Sequence, residues 1–263
     1  MFGKFQSFIK SRLLATRPES VYFYTLHRCA SSFFSDFVLK NVRHLRLMDY
    51  ADRMYNGDPV ECVTFKERGF IYGPIRVSTG PESIMYTQFI EPVSRSEFVR
   101  DKIAIFLVRD PRDIVVSSYY SFGYTHEFSN VREIEQQQRE LRENIRRTTL
   151  DAYAVDCARF FVRPFQTIDT LAQACPRGIL LKYEDMIYDW EKFSSELSKY
   201  LDIGRKRLRQ VYTLSRPLEN ERDTGHRRSG KPGAYKRKLS ASTVEELNGI
   251  LAPVLTRFRY EPW

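Results

Sequence analysis

Four stretches of this 263-residue chain bring together arginine, serine, tyrosine or glycine, the first three where an apolar run gives way to polar residues. In the first, VYFYTLHRCASSFF, an apolar segment runs into Arg28, Cys29, Ala30, Ser31 and Ser32, with Phe33 just beyond. The unpaired backbone N–H groups of a helix start, two hydroxyls and a guanidinium would cradle an anion there. A serine-capped helix after a strand looks the same, and Ala30 stands where such loops usually carry glycine. The second, IAIFLVRDPRDIVVSSYYSF, ends a strand at Arg109, offers Pro111 to the first helical turn and places Ser117 eight residues after Arg109. It can grip a phosphate, although Arg109, Asp110, Arg112 and Asp113 could also form ion pairs at the surface. The third, LLKYEDMIYDW, sets Tyr183 at a strand end. The fourth, HRRSGKPGAYKRKLS, is a basic loop with Arg228, Ser229, Gly230, Gly233, Tyr235 and Lys236, whose glycines permit close backbone approach to an anion.

These turns need strands and helices to hold them. Short β-rich or apolar runs lie at Val21 to Leu26, Val60 to Phe65, Ile103 to Val108 and Ile179 to Lys182. Helical patterns follow at Ser31 to Val42 and Asp113 to Phe122, and Glu133 to Phe161 is long enough for one bent helix or two shorter ones. Strands alternating with helices predict a single α/β domain over 1–263, with a central, mainly parallel sheet flanked by helices. In such sheets ligands sit at the carboxyl ends of the strands, where the turns above lie. Residues 123–175 form a helical region on one side of that edge, and 1–18 could form a further N-terminal helix.

Taken in order, the four segments resemble the family of sulfotransferases that use 3′-phosphoadenosine 5′-phosphosulfate (PAPS), over about Val21 to Ser240. The family's first loop, Pro-Lys/Arg-Ser-Gly-Thr-Thr-Trp, is matched in its last six places by Arg28, Cys29, Ala30, Ser31, Ser32 and Phe33. The resemblance implies that these hold the 5′-phosphosulfate and that Phe33 lines the adenine pocket. Arg109 and Ser117 match the second motif and would hold the 3′-phosphate; Tyr183 would contact adenine. Arg228, Gly230, Gly233, Tyr235 and Lys236 fall at the intervals of the Arg-Lys-Gly-x-x-Gly-Asp-Trp-Lys loop, so that Arg228, Ser229 and Gly230 would close over the 3′-phosphate. The family also implies a P-loop nucleotide-kinase-like fold, in-line transfer to a hydroxyl or amine, release of 3′-phosphoadenosine 5′-phosphate (PAP) and no metal. Arg28 would neutralise charge on the leaving phosphate.

Many cytosolic members carry a general base as the histidine of a Lys-Thr-His-x-Pro stretch after the second strand. This chain has FIYGPIR there. His126, in SFGYTHEF, is the preferred substitute, with His27 second and Asp49, Asp52 and Glu67 as carboxylate alternatives; His44 and His226 have no motif support. The missing histidine and the replaced glycine favour the alternative of a nucleotide- or nucleic-acid-binding protein that keeps the fold without turnover.

Gly225 to Lys231 also satisfies G-x-x-x-x-G-K, but Pro232 stands where a kinase or ATPase needs Ser or Thr for magnesium. With 42 Lys and Arg against 33 Asp and Glu, the net charge of +9 favours anionic partners, and Arg205 to Arg209 adds a basic cluster. The four cysteines form no CxxC pair, so neither a zinc site nor a disulfide framework is indicated and a cytoplasmic location is expected. No apolar run reaches membrane-spanning length; Phe2, Phe5, Phe8 and Ile9 could form a basic amphipathic helix, for which packing on the domain is favoured over peripheral membrane contact. The acceptor, whether small molecule, lipid or carbohydrate, is not readable, and no nucleic-acid partner is expected.

Overall fold

A computed structural model describes residues 18–49, 65–77, 93–218 and 230–261. Strands β1 (Val21–Thr25), β2 (Arg46–Met48), β3 (Phe70–Arg76), β4 (Ile103–Val108) and β5 (Arg177–Lys182) form one sheet in the order β2-β3-β1-β4-β5. Every neighbouring pair is parallel. A parallel sheet is covered on both faces, which is why β1 reads as an unbroken apolar run and is buried at every position. Its side chains alternate between two cores: Tyr22 and Tyr24 pack on one face, Val21 and Phe23 on the other.

The first face is covered by α3 (Pro111–Tyr120), α5 (Leu150–Ala174) and α10 (Ala241–Arg257). The second is covered by α1 (Ser31–Phe33), α6 (Tyr183–Tyr188), α7 (Trp190–Ser198) and α8 (Arg205–Ser215). Short helices α2 (Ser96–Val99) and α9 (Tyr235–Lys238) and the exposed α4 (Arg132–Arg146) complete the set. The long helical stretch is two helices: Thr149 ends the connection by accepting a hydrogen bond from the Ala152 amide, and α5 then runs on beyond Phe161. The run expected from Ser31 is also less regular, since α1 passes into a π-helix at Phe34–Val38 and a 3-10 turn at Leu39–Asn41.

Two strands depart from the sequence expectation. β3 is FIYGPIR, in which Gly73 and Pro74 read as a turn. They form a bulge instead: Tyr22 pairs with Tyr72 and Tyr24 with Ile75, so β3 uses one more residue than β1. Glycine is required at 73, because a Cβ there would lie 2.6 Å from the Phe23 carbonyl oxygen and φ is +151°. β2 is a three-residue edge strand too short to show a pattern. Of the expected strand at Val60 to Phe65, only Phe65 is described, and it lies in no strand; the suggested helix at 1–18 lies almost wholly outside the described residues. Among the described residues no helix is long and apolar enough to cross a membrane.

Candidate active site

β3, β1 and β4 lie side by side, and each delivers an arginine near its carboxyl end: Arg76, Arg28 and Arg109. Arg76 pairs in register with Thr25, three residues before Arg28. A cavity opens above this edge, lined by Arg28 and 30–33 from the first turn, Arg109 and Ser117 from the second, Tyr183 from the third and Gly230 from the fourth. Segments about 200 residues apart in the chain therefore meet in one place, as the motif order implied.

The second turn is tightly fixed. Asp110 caps α3 by accepting from the Arg112 amide, and Pro111 takes the first helical position. The four charged residues that could have formed a surface cluster divide into two buried pairs. Arg112 binds both carboxylate oxygens of Asp110, at 3.0 and 2.7 Å, and reaches Asn248 and the Glu261 carbonyl. Arg109 lies 3.5 Å from Asp113, whose side chain is wholly buried, and donates to the Arg28 carbonyl at 3.2 Å. Asp113 also accepts the Gly233 and Tyr235 amides at 2.8 and 3.2 Å, which ties the fourth segment to the second. Burial raises the Asp113 pKa against the pull of Arg109 and those amides. Burial opposes the charge of Arg109 in turn, but Asp113, Tyr183 and Glu184 together hold it firmly cationic. Its Nε is buried with no hydrogen-bond partner among the described residues, a donor suited to an anion.

The first turn is built differently. Arg28 and Ala30 have φ of 64° and 59°, the left-handed region where a non-glycine residue is strained. Ala30 occupies the N-cap position with no side-chain bond, and the α-helical part lasts only three residues. Arg28 Nε donates to Ser117 Oγ at 3.2 Å, which joins the two turns across the cavity. Ser31 Oγ accepts from Arg76 Nε at 3.0 Å. Cys29 faces away: its side chain is fully buried in the first core and burial raises its pKa to about 12, so its thiol does not line the cavity. Any contact it makes there comes from its backbone.

Tyr183 is nearly buried, its ring lies 4.7 Å from the Arg109 guanidinium and its hydroxyl donates to the Gly230 carbonyl at 2.5 Å. Phe33 lines the same cavity, so two aromatic rings are available to a planar base. Gly230 and Gly233, with φ of 74° and 81°, supply the turns that other residues would strain to make. Arg228, Ser229 and His226 lie outside the described residues.

The histidines separate into three settings. His44 is exposed, 3.9 Å from Asp202. His27 has its pKa lowered well below the usual histidine value by burial, then by the charges of Arg76, Arg28 and His126, and is neutral at pH 7. Its ring centroid is 6.1 Å from that of Phe122, which in turn lies 5.3 Å from His126. His126 is therefore on the Arg28 side of the site, although its neighbours Ser121 and Thr125, not His126 itself, line the cavity. Arg142 donates to the Phe122 and His126 carbonyls and Arg146 to that of Gly123, so α4 pins this segment. Asp49 follows β2 and accepts from Ser35. Glu67 instead lies before β3, beside Ser20 and Asp101 at the amino end of the sheet, opposite the cavity. Asp52 lies outside the described residues.

Arg76, Asp113 and Lys231 belong to this neighbourhood without having been singled out from the sequence. Arg76 would have been found had β3 been recognised, because it repeats the strand-end arginine of β4. Asp113 was noticed only as part of a charge cluster. Among the described residues no group of three His, Cys, Asp or Glu side chains is placed to hold a metal ion.

The all-parallel α/β sheet carries cationic turns and two aromatic rings at its carboxyl edge, a setting suited to an anionic ligand with a planar ring. The sulfotransferase domain family model matches residues 92–259, and the chain belongs to that family. Its fold is similar to that of the mouse sulfotransferase SULT7A1 complexed with PAP, with a TM-score of 0.56 and 12% identity over 93% of this chain and 88% of that one. A retinol dehydratase in complex with retinol and PAP aligns with a TM-score of 0.47 and 12% identity, over 92% of this chain and 83% of that one. No curated protein sequence matches.

Proposed function

We propose that the cavity binds PAPS with its 3′-phosphate on Arg109 and Ser117, its adenine between Phe33 and Tyr183 and its 5′ end at Arg28 and Ser31–Ser32, and releases PAP. The observation that carries this reading is the meeting of Arg28, Arg109, Ser117 and Tyr183 in one cavity, where the buried Arg109 Nε has no hydrogen-bond partner among the described residues. Among the described residues cations outnumber carboxylates on its walls, with Arg28, Arg109 and Lys231 against Asp113. Arg228 and Ser229 belong to the same proposal as the closing loop.

PAPS supplies a sulfuryl group already activated by its bond to phosphate. The acceptor oxygen or nitrogen forms a new bond to sulfur as the bridging S–O bond breaks, and the electron pair of that bond leaves with the 5′-phosphate of PAP. Arg28 faces the growing negative charge and stabilises it more in the transition state than in the ground state. His126 accepts the acceptor proton, while His27, kept neutral by burial and by two arginines, lies behind the Phe122 ring. Ser121 and Thr125 border the acceptor side. The acceptor is a hydroxyl or amine of a small molecule, lipid or carbohydrate, and the enzyme works in the cytoplasm, a setting in keeping with the free thiols of Cys29, Cys157 and Cys175.

The test of the base is His126→Ala assayed with PAPS and a panel of hydroxyl acceptors. Loss of most turnover with unchanged PAP affinity supports His126; an unchanged rate moves the role to His27 or Asp49.

A further inference from the structure

A second concavity lies on the outer side of the helices that bound the nucleotide cavity. It is a groove of about 780 Å³ between α8 and the π-helical and 3-10 turns that follow α1. Its rim carries Arg205, Lys206, Arg207 and Arg209, and no carboxylate among the described residues lines it. All four cations are exposed, and none forms an ion pair among the described residues; Arg207 reaches only the Gln210 side chain, at 2.8 Å. Asp36 pairs with Lys40 at 2.7 Å, and Asp202 lies 3.9 Å from His44. Phe37 and Leu214, 41% and 40% exposed, line the same groove with Val211.

Cations around exposed aliphatic and aromatic side chains fit a surface that is anionic outside and apolar beneath. We propose that this face docks the enzyme on an anionic membrane, with phospholipid headgroups on Arg205, Lys206, Arg207 and Arg209 and the acyl boundary against Phe37 and Leu214. A nucleic acid would meet the same charge but needs open ring faces for its bases. Phe37, the aromatic side chain among the described residues that line the groove, is already packed against Phe33 at 5.2 Å, and Leu214 offers no ring. The inference stands apart from the nucleotide reading, because none of the four cations lines the nucleotide cavity.

The test is co-sedimentation with phosphatidylcholine vesicles that contain or lack roughly one-third phosphatidylserine. The full chain is expected to bind only the anionic vesicles, more weakly as salt rises. In the Lys206→Glu/Arg209→Glu variant, binding is expected to fall at least about thirtyfold, since each cation near such a surface contributes roughly fivefold. Leu214→Ser should weaken binding by a smaller factor at every salt concentration. Unchanged PAP affinity in both variants shows that they are folded. Equal sedimentation with neutral vesicles, no sedimentation with either, or tighter capture of a single-stranded RNA that the same charge reversal abolishes would overturn the proposal.

Discussion

The turn after β4 and the turn after β1 lie side by side and bring arginines to one cavity, yet they are held differently. Around Arg109 every neighbour is fixed: Asp113 is locked by two backbone amides, Asp110 caps α3 and Arg112 is bound on all sides. Around Arg28 the backbone is strained, α1 has no side-chain cap and the helix changes type after one turn. A rigid cation suits a group that stays bound throughout the reaction. A guanidinium on a strained turn, joined to Ser117, suits the proposed role of meeting charge that changes during it.

If that division holds, removing the two arginines should damage different quantities. Arg109→Ala should be the more disruptive to the fold, lowering stability by about 3 kcal/mol or more, because Asp113 is left buried beside no cation. Denaturant titration would show this, and a loss under 1 kcal/mol would mean that the second turn is less dependent on the pair than its burial suggests. Arg28→Ala should leave stability nearly intact and lower turnover by roughly a hundredfold, with a much smaller change in PAP affinity. An equal loss of PAP affinity and rate would erase the distinction between the turns.

Glu184 sharpens the comparison from below the second turn. It accepts the Asp110 amide at 2.9 Å and the Tyr260 hydroxyl at 3.2 Å, and burial raises its pKa from 4.5 to about 7. Between those values the folded chain holds a proton that the unfolded chain releases. This contribution is fully present below pH 4.5 and is lost as pH rises through about 7, with a slope of up to about 1.4 kcal/mol per pH unit. Glu184→Gln should flatten stability over that window, as followed by thermal melts at a series of pH values; an unchanged profile would assign the slope to other groups. The smallest effect is expected at Ala30, where Ala30→Gly should relieve about 1 kcal/mol of left-handed strain and raise the melting temperature by a few degrees. A lower melting temperature would show that the first turn is not strained at that residue.

The same contrast explains what could be read from the residues alone. β1 and β4 are apolar runs inside a doubly covered sheet, so their signal survives without any knowledge of partners, and the end of β5, at the sheet edge, keeps a short apolar run. The strand-end positions of Arg109 and Tyr183, and the place of Arg28 just past β1, followed from them. β3 was hidden because Gly73 and Pro74 signal a turn unless the neighbouring strand is known to need a bulge, and Arg76 was lost with it. The division of four charges into two buried pairs depends on Gly233, Tyr235 and Asn248, all more than a hundred residues away, which no local pattern contains. Cys29 counted as part of the first loop by its position, while burial turns its side chain into the core.

The central claim is that Arg109 and Ser117 recognise a 3′-phosphate, and calorimetric titration of PAP against AMP tests it most directly. Charge-assisted hydrogen bonds contribute roughly 1.5 to 3 kcal/mol each, so PAP is expected to bind at least about a hundredfold more tightly than AMP. Arg109→Lys, which keeps a cation beside Asp113 but loses the planar fork, should narrow that ratio by about tenfold or more and leave AMP nearly unchanged. Equal affinity of the wild-type chain for PAP and AMP would contradict the account.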